Sequence, residues 1–203
     1  PCPGCPLLRL PAEEILRNKE QQVAEAFRLF PALRGTTVMP CVPAAAQTGY
    51  RTRVKFAVGP RRQNSAAVGL FLPANHEVLD LPQCRVICPE LQPILARLRV
   101  LIPETAADVA HLDLRWSLYQ QRAHGTLVAR QGSDAQALAR LAAALVQERP
   151  EVSGVGVRCA AAGPGPRPLS GRARPLAGEQ FLIEKIGQWL FRLSPGSFFQ
   201  ASP

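Results

Sequence analysis

Apolar positions change their period several times along this chain, and each change marks an element. After Pro11, Leu16, Val23, Phe27 and Phe30 recur at helical spacing, and Glu13 and Glu14 suit the positive end of a helix beginning there. A core helix ending near Pro31 is expected. From Tyr50 the period becomes two: Tyr50, Val54, Phe56 and Val58 take one face of a strand, and Arg51, Arg53 and Lys55 the other. Gly59 to Ser65 has turn composition, with Arg61 and Arg62 in the turn, and Ala67 to Leu72 is the returning strand of a hairpin. His76 to Leu81 makes another short strand. Pro89 opens a helix with Leu91, Ile94, Leu95 and Leu98 on one stripe. His111 to Leu118 alternates again, pointing Leu112, Leu114, Trp116 and Leu118 to one side, with Thr126 to Arg130 as its partner. Ser133 and Asp134 suit the cap of a helix over Ala135 to Gln147, whose Leu138, Leu141 and Leu145 share a face; Pro150 stops it. Val152 to Arg158 is a strand, Ala160 to Pro168 a Pro/Gly/Ala loop, and Phe181 to Leu193 carries mixed strand signals.

Strands outnumber helices and most connections are hairpin-like, so the expected class is α+β, a mostly antiparallel sheet with flanking helices. There is no internal repeat, and Gly154-Val-Gly156 lacks the third glycine of a dinucleotide-binding turn. At 203 residues and 47% hydrophobic content the chain can bury a core. It has no apolar run of roughly 18 residues and no export signal. A cytoplasmic monomer away from the membrane is expected. The chain opens at Pro1 without Met and stops at Pro203 just after an apolar segment, which reads as a chain cut at both ends.

The formal charge of +9 favours a polyanionic partner, because each phosphate neutralised by Arg or Lys releases a condensed counterion. Arg51, Arg53 and Lys55 on one strand face, extended by Arg61 and Arg62, form a candidate phosphate-binding strip, although a solvated strand face has the same pattern. Cys2-Pro-Gly-Cys5 sets two thiolates at a spacing that lets both sulfurs turn to one metal or one cluster corner. A redox pair or unrelated thiols remain open. Such a site needs further ligands; Cys84 is the best distant candidate, while Cys41, Cys88 and Cys159 serve equally well as small buried apolar residues.

Four segments carry a family resemblance. Cys-Pro-Gly-Cys-Pro-Leu at 2–7, Tyr-Arg-Thr-Arg-Val-Lys-Phe at 50–56, the run from His76 to Cys84 and Ser-Pro-Gly-Ser-Phe-Phe-Gln at 194–200 occur in the order and approximate spacing of the RNA 5-methyluridine methyltransferases, which the chain resembles over nearly its whole length. The resemblance implies a [4Fe-4S] cluster on Cys2, Cys5 and Cys84, its first family cysteine falling before Pro1. It implies that Arg51, Arg53 (where the family has Lys) and Lys55 lie against substrate RNA. It implies that Gln200 contacts S-adenosylmethionine and that Phe198 lies near the target base of an rRNA or tRNA. Residues 1–193 would be the central iron–sulfur and RNA-binding region, and residues 194–203 the start of the methyltransferase domain. Ser202 stands where the family usually has Asn. In the implied reaction a cysteine attacks C6 of uracil, C5 takes the methyl group, and a base removes its proton. That cysteine and base belong after Gln200, so no catalytic residue is assigned in this chain, which alone is expected to be inactive. The rival reading is a non-catalytic RNA-binding module with a structural zinc or iron–sulfur site.

Overall fold

The computed structural model describes residues 2, 4–62, 64–73, 75, 77–159 and 172–201, without the side chains of Arg61 and Arg62. The expected loop over Ala160 to Pro168, and His76 and Ser202, fall outside the described residues. The chain divides into two units, Pro1–Gln47 and Thr48–Pro203.

In the first unit, helix α1 (Ala12–Arg28) starts after Pro11 with Glu13 and Glu14 in its first turn, as the sequence pattern requires. Short 3-10 turns precede and follow it at Pro6–Arg9 and Pro31–Leu33. The expectation that its apolar stripe is core does not hold. No residue of α1 is buried, and Val23 and Phe30 are exposed. The physical reason lies in the unit itself, which has no second long helix or strand among its described residues against which a stripe can close.

The second unit is built on a seven-stranded sheet in the order β3-β2-β1-β4-β5-β6-β7. Its strands are β1 (Arg53–Arg62), β2 (Ser65–Phe71), β3 (Val78–Asp80), β4 (Val109–Ser117), β5 (Arg122–Ala129), β6 (Val152–Cys159) and β7 (Arg174–Gly178). Every pairing is antiparallel except β5 with β6. That pair is parallel because α3 (Ala135–Glu148) carries the chain back across one face, making a single βαβ crossover within an otherwise hairpin-like topology. Asp134 caps α3, its carboxylate accepting from the Gln136 N–H at 2.8 Å. The α+β class is therefore as expected, with one parallel step that the alternation pattern did not reveal.

Helix α2 (Leu91–Glu104) and α3 cover the same face of the sheet. Leu91, Ile94, Leu95 and Leu98 of α2 and Leu138, Leu141 and Leu145 of α3 are all buried against Val54, Phe56, Val58, Leu112, Leu114 and Trp116. Each such side chain contributes roughly 1.5–3 kcal/mol when fully buried. Local boundaries differ from expectation in several places. β1 begins at Arg53 and runs on through Gly59 to Arg62 with a bulge, so Arg61 and Arg62 lie in the strand, not the turn. Leu118 is exposed beyond the end of β4. β7 was not expected at all: Pro175 and Gly178 obscure a strand whose edge position tolerates them.

The segment of mixed strand signals forms a separate hairpin, β8 (Leu182–Ile186) and β9 (Trp189–Leu193). It is tied to the end of β4: the Ser117 hydroxyl donates to the Ile183 carbonyl at 2.7 Å, and the Leu118 and Tyr119 N–H groups each donate to the Glu184 carboxylate at 2.9 Å. No helix among the described residues is long and apolar enough to cross a membrane.

Candidate functional site

Strand alternation puts a second set of residues on the sheet face away from the helices. Cross-strand register places Arg53 opposite Arg115 and Lys55 opposite Asp113, and then Arg115 opposite His124 and Asp113 opposite Thr126. Asp113, Arg115, His124, Thr126 and Arg158 are buried there. Charged groups are held away from water only when they are paired and hydrogen-bonded. Arg53 supplies the pairing, its Nε and one terminal nitrogen donating to the two Asp113 carboxylate oxygens at 2.9 and 2.6 Å. This fork-to-carboxylate geometry fixes both side chains.

The remaining donors converge on the segment after β9. Ser194-Pro-Gly-Ser197 is a β-turn closed by the Ser197 N–H donating to the Ser194 carbonyl at 3.0 Å, with Gly196 at φ +91° where a type II turn needs a positive value. Arg115 donates to the Ser197 carbonyl at 2.7 Å and to its hydroxyl at 3.3 Å, and Arg53 donates to the same carbonyl at 3.2 Å. Arg158 donates to the Pro195 carbonyl. The positive φ favours glycine at 196, and a methyl group there would also crowd the Arg158 guanidinium and force it to shift. At the far end of the segment the Thr52 N–H donates to the Ala201 carbonyl at 2.8 Å. The segment is thus pinned at both ends. Between the pins Phe198 is 88% exposed, Gln200 is exposed, and Phe199 turns in against Phe191.

Two stretches that stand apart in the sequence, 50–56 and 194–200, therefore meet in space, and the first holds the second. That changes the basic strip. Arg53 is engaged with Asp113 and Ser197, its side chain only 12% exposed, and does not lie open beside Arg51 and Lys55. Arg51 and Lys55 are exposed, Arg51 preceding β1 in a bridge to Ile87. Asp113, Arg115, Arg158 and Ser197 were not anticipated as site residues. The signal was present in His111 to Leu118, whose alternation leaves His111, Asp113, Arg115 and Ser117 on the face opposite the leucines.

Burial sets the protonation states in this layer. It holds the His124 pKa down at about 4, against the raising effect of its hydrogen bond to the Glu179 carbonyl. The ring is therefore neutral near pH 7. Because a carbonyl only accepts, Nε2 carries the proton in that 3.1 Å contact. Burial, with Arg53 alongside, lowers Arg115 to about 10, still a cation at neutral pH. Lys55 is lowered by desolvation and then by Arg53.

The three cysteines expected to hold a cluster fall in both units. Cys2 and Cys5 belong to the first unit; Cys84 and Cys88 belong to the second, preceding α2. Cys88 is buried, which pushes its thiol up to about 11. Among the described residues no group of three or more His, Cys, Asp or Glu is arranged to hold a metal ion.

No family model matches the chain. A protein of Nostoc sp. named an uncharacterized RNA methyltransferase is 26% identical over 210 residues, covering 98% of this chain and 45% of that protein. One of the same description from Halalkalibacterium halodurans is 24% identical over 219 residues, covering 100% of this chain and 46% of its own length. This chain is similar in sequence to proteins named RNA methyltransferases. It spans under half the length of these curated relatives. In fold it is similar to the Pyrococcus abyssi tRNA (uracil-54, C5)-methyltransferase solved with S-adenosyl-L-homocysteine, at a TM-score of 0.75 and 16% identity, over 100% of this chain and 47% of that one. The sequence relatives thus support a likeness to RNA methyltransferases in general, and the solved structure supports the fold.

Proposed function

We propose that this chain is part of a cytoplasmic enzyme that transfers a methyl group from S-adenosylmethionine to C5 of a uridine in rRNA or tRNA. The observation that carries the reading is the pinned segment 194–201, which offers an exposed aromatic and an exposed amide two residues apart on a backbone fixed at both ends. An aromatic held in this way can stack on an unstacked base, and an amide can hydrogen-bond the polar groups of the methyl donor. Phe198 takes the first role and Gln200 the second. Arg53, Arg115, Arg158 and Thr52 act as positioning residues for them, since a misplacement of about 1 Å can cost about a hundredfold in rate. The methyl donor supplies the electrophile; the residues of this chain bind and orient. Arg51 and Lys55 are left to meet the RNA backbone, with Arg61 and Arg62 further along β1.

The test is a map of 5-methyluridine in the RNA of the source cell after the gene is deleted. One position is expected to lose its methyl group and to regain it with the native gene, but not with Phe198→Ala. A map unchanged by deletion overturns the proposal. By the same reading, most of the donor pocket lies beyond Gln200, so titration calorimetry of the 203-residue chain with S-adenosylmethionine is expected to show weak binding or none.

A further inference from the structure

A cavity of about 310 Å3 lies beside the start of the pinned segment, lined by Arg172, Arg174, Arg192, Gln180, His124 and Ser194 among others, with no carboxylate in its wall. Its three arginines are exposed, and none is in an ion pair among the described residues. Arg192 is held in place by its neighbour: its guanidinium stacks on the Phe181 ring at 4.0 Å from the centroid. Stacking uses the flat face of the guanidinium and leaves its in-plane N–H donors for a ligand. The other two come from the edge strand β7 and the residues leading into it, and Gly156 of β6 contributes a wall without a side chain. Three cations around one concavity repel each other, and an anion among them removes that cost.

We infer that this cavity binds the sugar-phosphate backbone of the RNA substrate at a point separate from Arg51 and Lys55. The inference rests on the RNA reading above and adds a second contact to it. Arginine forks match phosphate oxygens in pairs, and the cavity volume is at the lower end of what small-molecule and nucleotide sites occupy. Four strand steps separate β7 from β1, which is roughly 19 Å across a sheet. The two basic sites therefore contact different nucleotides. The turn at 194–197, bound by residues of β1, β4 and β6, lies between them, and Ser194 and Pro195 are both part of that turn and part of the cavity wall. A strand held on both sides of the turn presents one nucleotide to Phe198.

The experiment measures the affinity of the 203-residue chain for a fluorescent single-stranded oligouridylate as a function of salt concentration. The triple variant Arg172→Ala/Arg174→Ala/Arg192→Ala is expected to bind roughly tenfold more weakly or worse near 0.1 M salt, with the slope of log affinity against log salt shallower by about two. The corresponding triple Lys variant keeps most of the slope. A control that removes equal charge elsewhere, Arg9→Ala/Arg17→Ala/Arg28→Ala, changes affinity much less. Circular dichroism verifies folding, and Arg172→Ala alone, at an exposed position, gives about one third of the slope change should the triple variant unfold. A native slope in the triple Ala variant, or an equal loss in the control, overturns the site and leaves the RNA reading standing. Failure of the native chain to bind the oligonucleotide at any salt concentration overturns both.

Discussion

The two faces of the one sheet are held by opposite physics. Beneath α2 and α3, leucines, isoleucines and valines exclude water, and any apolar group of the right volume serves nearly as well. On the other face Asp113, Arg115, His124 and Arg158 are also buried, yet each is hydrogen-bonded to a particular partner. The first face gives stability without direction. The second gives direction, because hydrogen bonds from fixed arginines hold the turn at 194–197 in one place. Burial by itself therefore does not distinguish scaffold from site in this molecule; the need for a partner does.

That contrast can be broken most strongly at Asp113. Removing it in Asp113→Ala leaves Arg53 and Arg115 facing each other in a dry layer, with an expected loss of about 3–5 kcal/mol in denaturant unfolding. Restoring the native net charge with Arg53→Met in the same chain should recover part of that loss, whereas an additive double variant would mean that the pair is not coupled. On the helix-covered face Leu98, fully buried, gives the comparable apolar figure. Leu98→Ala is expected to cost about 2–5 kcal/mol, and no second substitution of a charge should rescue it.

Acid separates the faces next. His124 has a folded pKa of about 4, below its unfolded value of 6.5, so the unfolded chain binds the extra proton first. Its contribution is intact above pH 6.5 and is lost as pH falls from there towards 4, by roughly 3 kcal/mol in all. In His124→Gln, which keeps a donor for the Glu179 carbonyl, the unfolding free energy should flatten over that window. An undiminished acid slope would assign the effect to other groups.

The smallest change in stability is expected at Phe198. At 88% exposure, Phe198→Ala should move unfolding by less than about 0.5 kcal/mol while removing the modification assigned to it. A large stability loss there would make Phe198 part of the scaffold.

Much of the helix-covered face was legible from the sequence, because it is local: period-3.6 leucines at 91–98 and 138–145 and period-two residues at 54–58 and 112–116 each announce a buried face. α1 shows the limit of that logic. Its stripe is as regular as the others, but a stripe becomes core only where another element closes over it. Arg53 departs from the basic strip for a related reason. Alternation correctly put Arg53 opposite Val54, but it could not say that a carboxylate on the neighbouring strand and a turn 144 residues later would claim its donors.

By itself, then, the sequence determined which residues are apolar on which period, where helices start, and which four segments resemble a family. Those properties depend on neighbours a few positions away. Only the tertiary structure decided that 50–56 holds 194–200, that β5 and β6 run parallel, and that three arginines from β7, its approach and β9 enclose one cavity. These depend on strand order and cross-strand register, which bring distant positions within hydrogen-bond reach and which no local periodicity encodes.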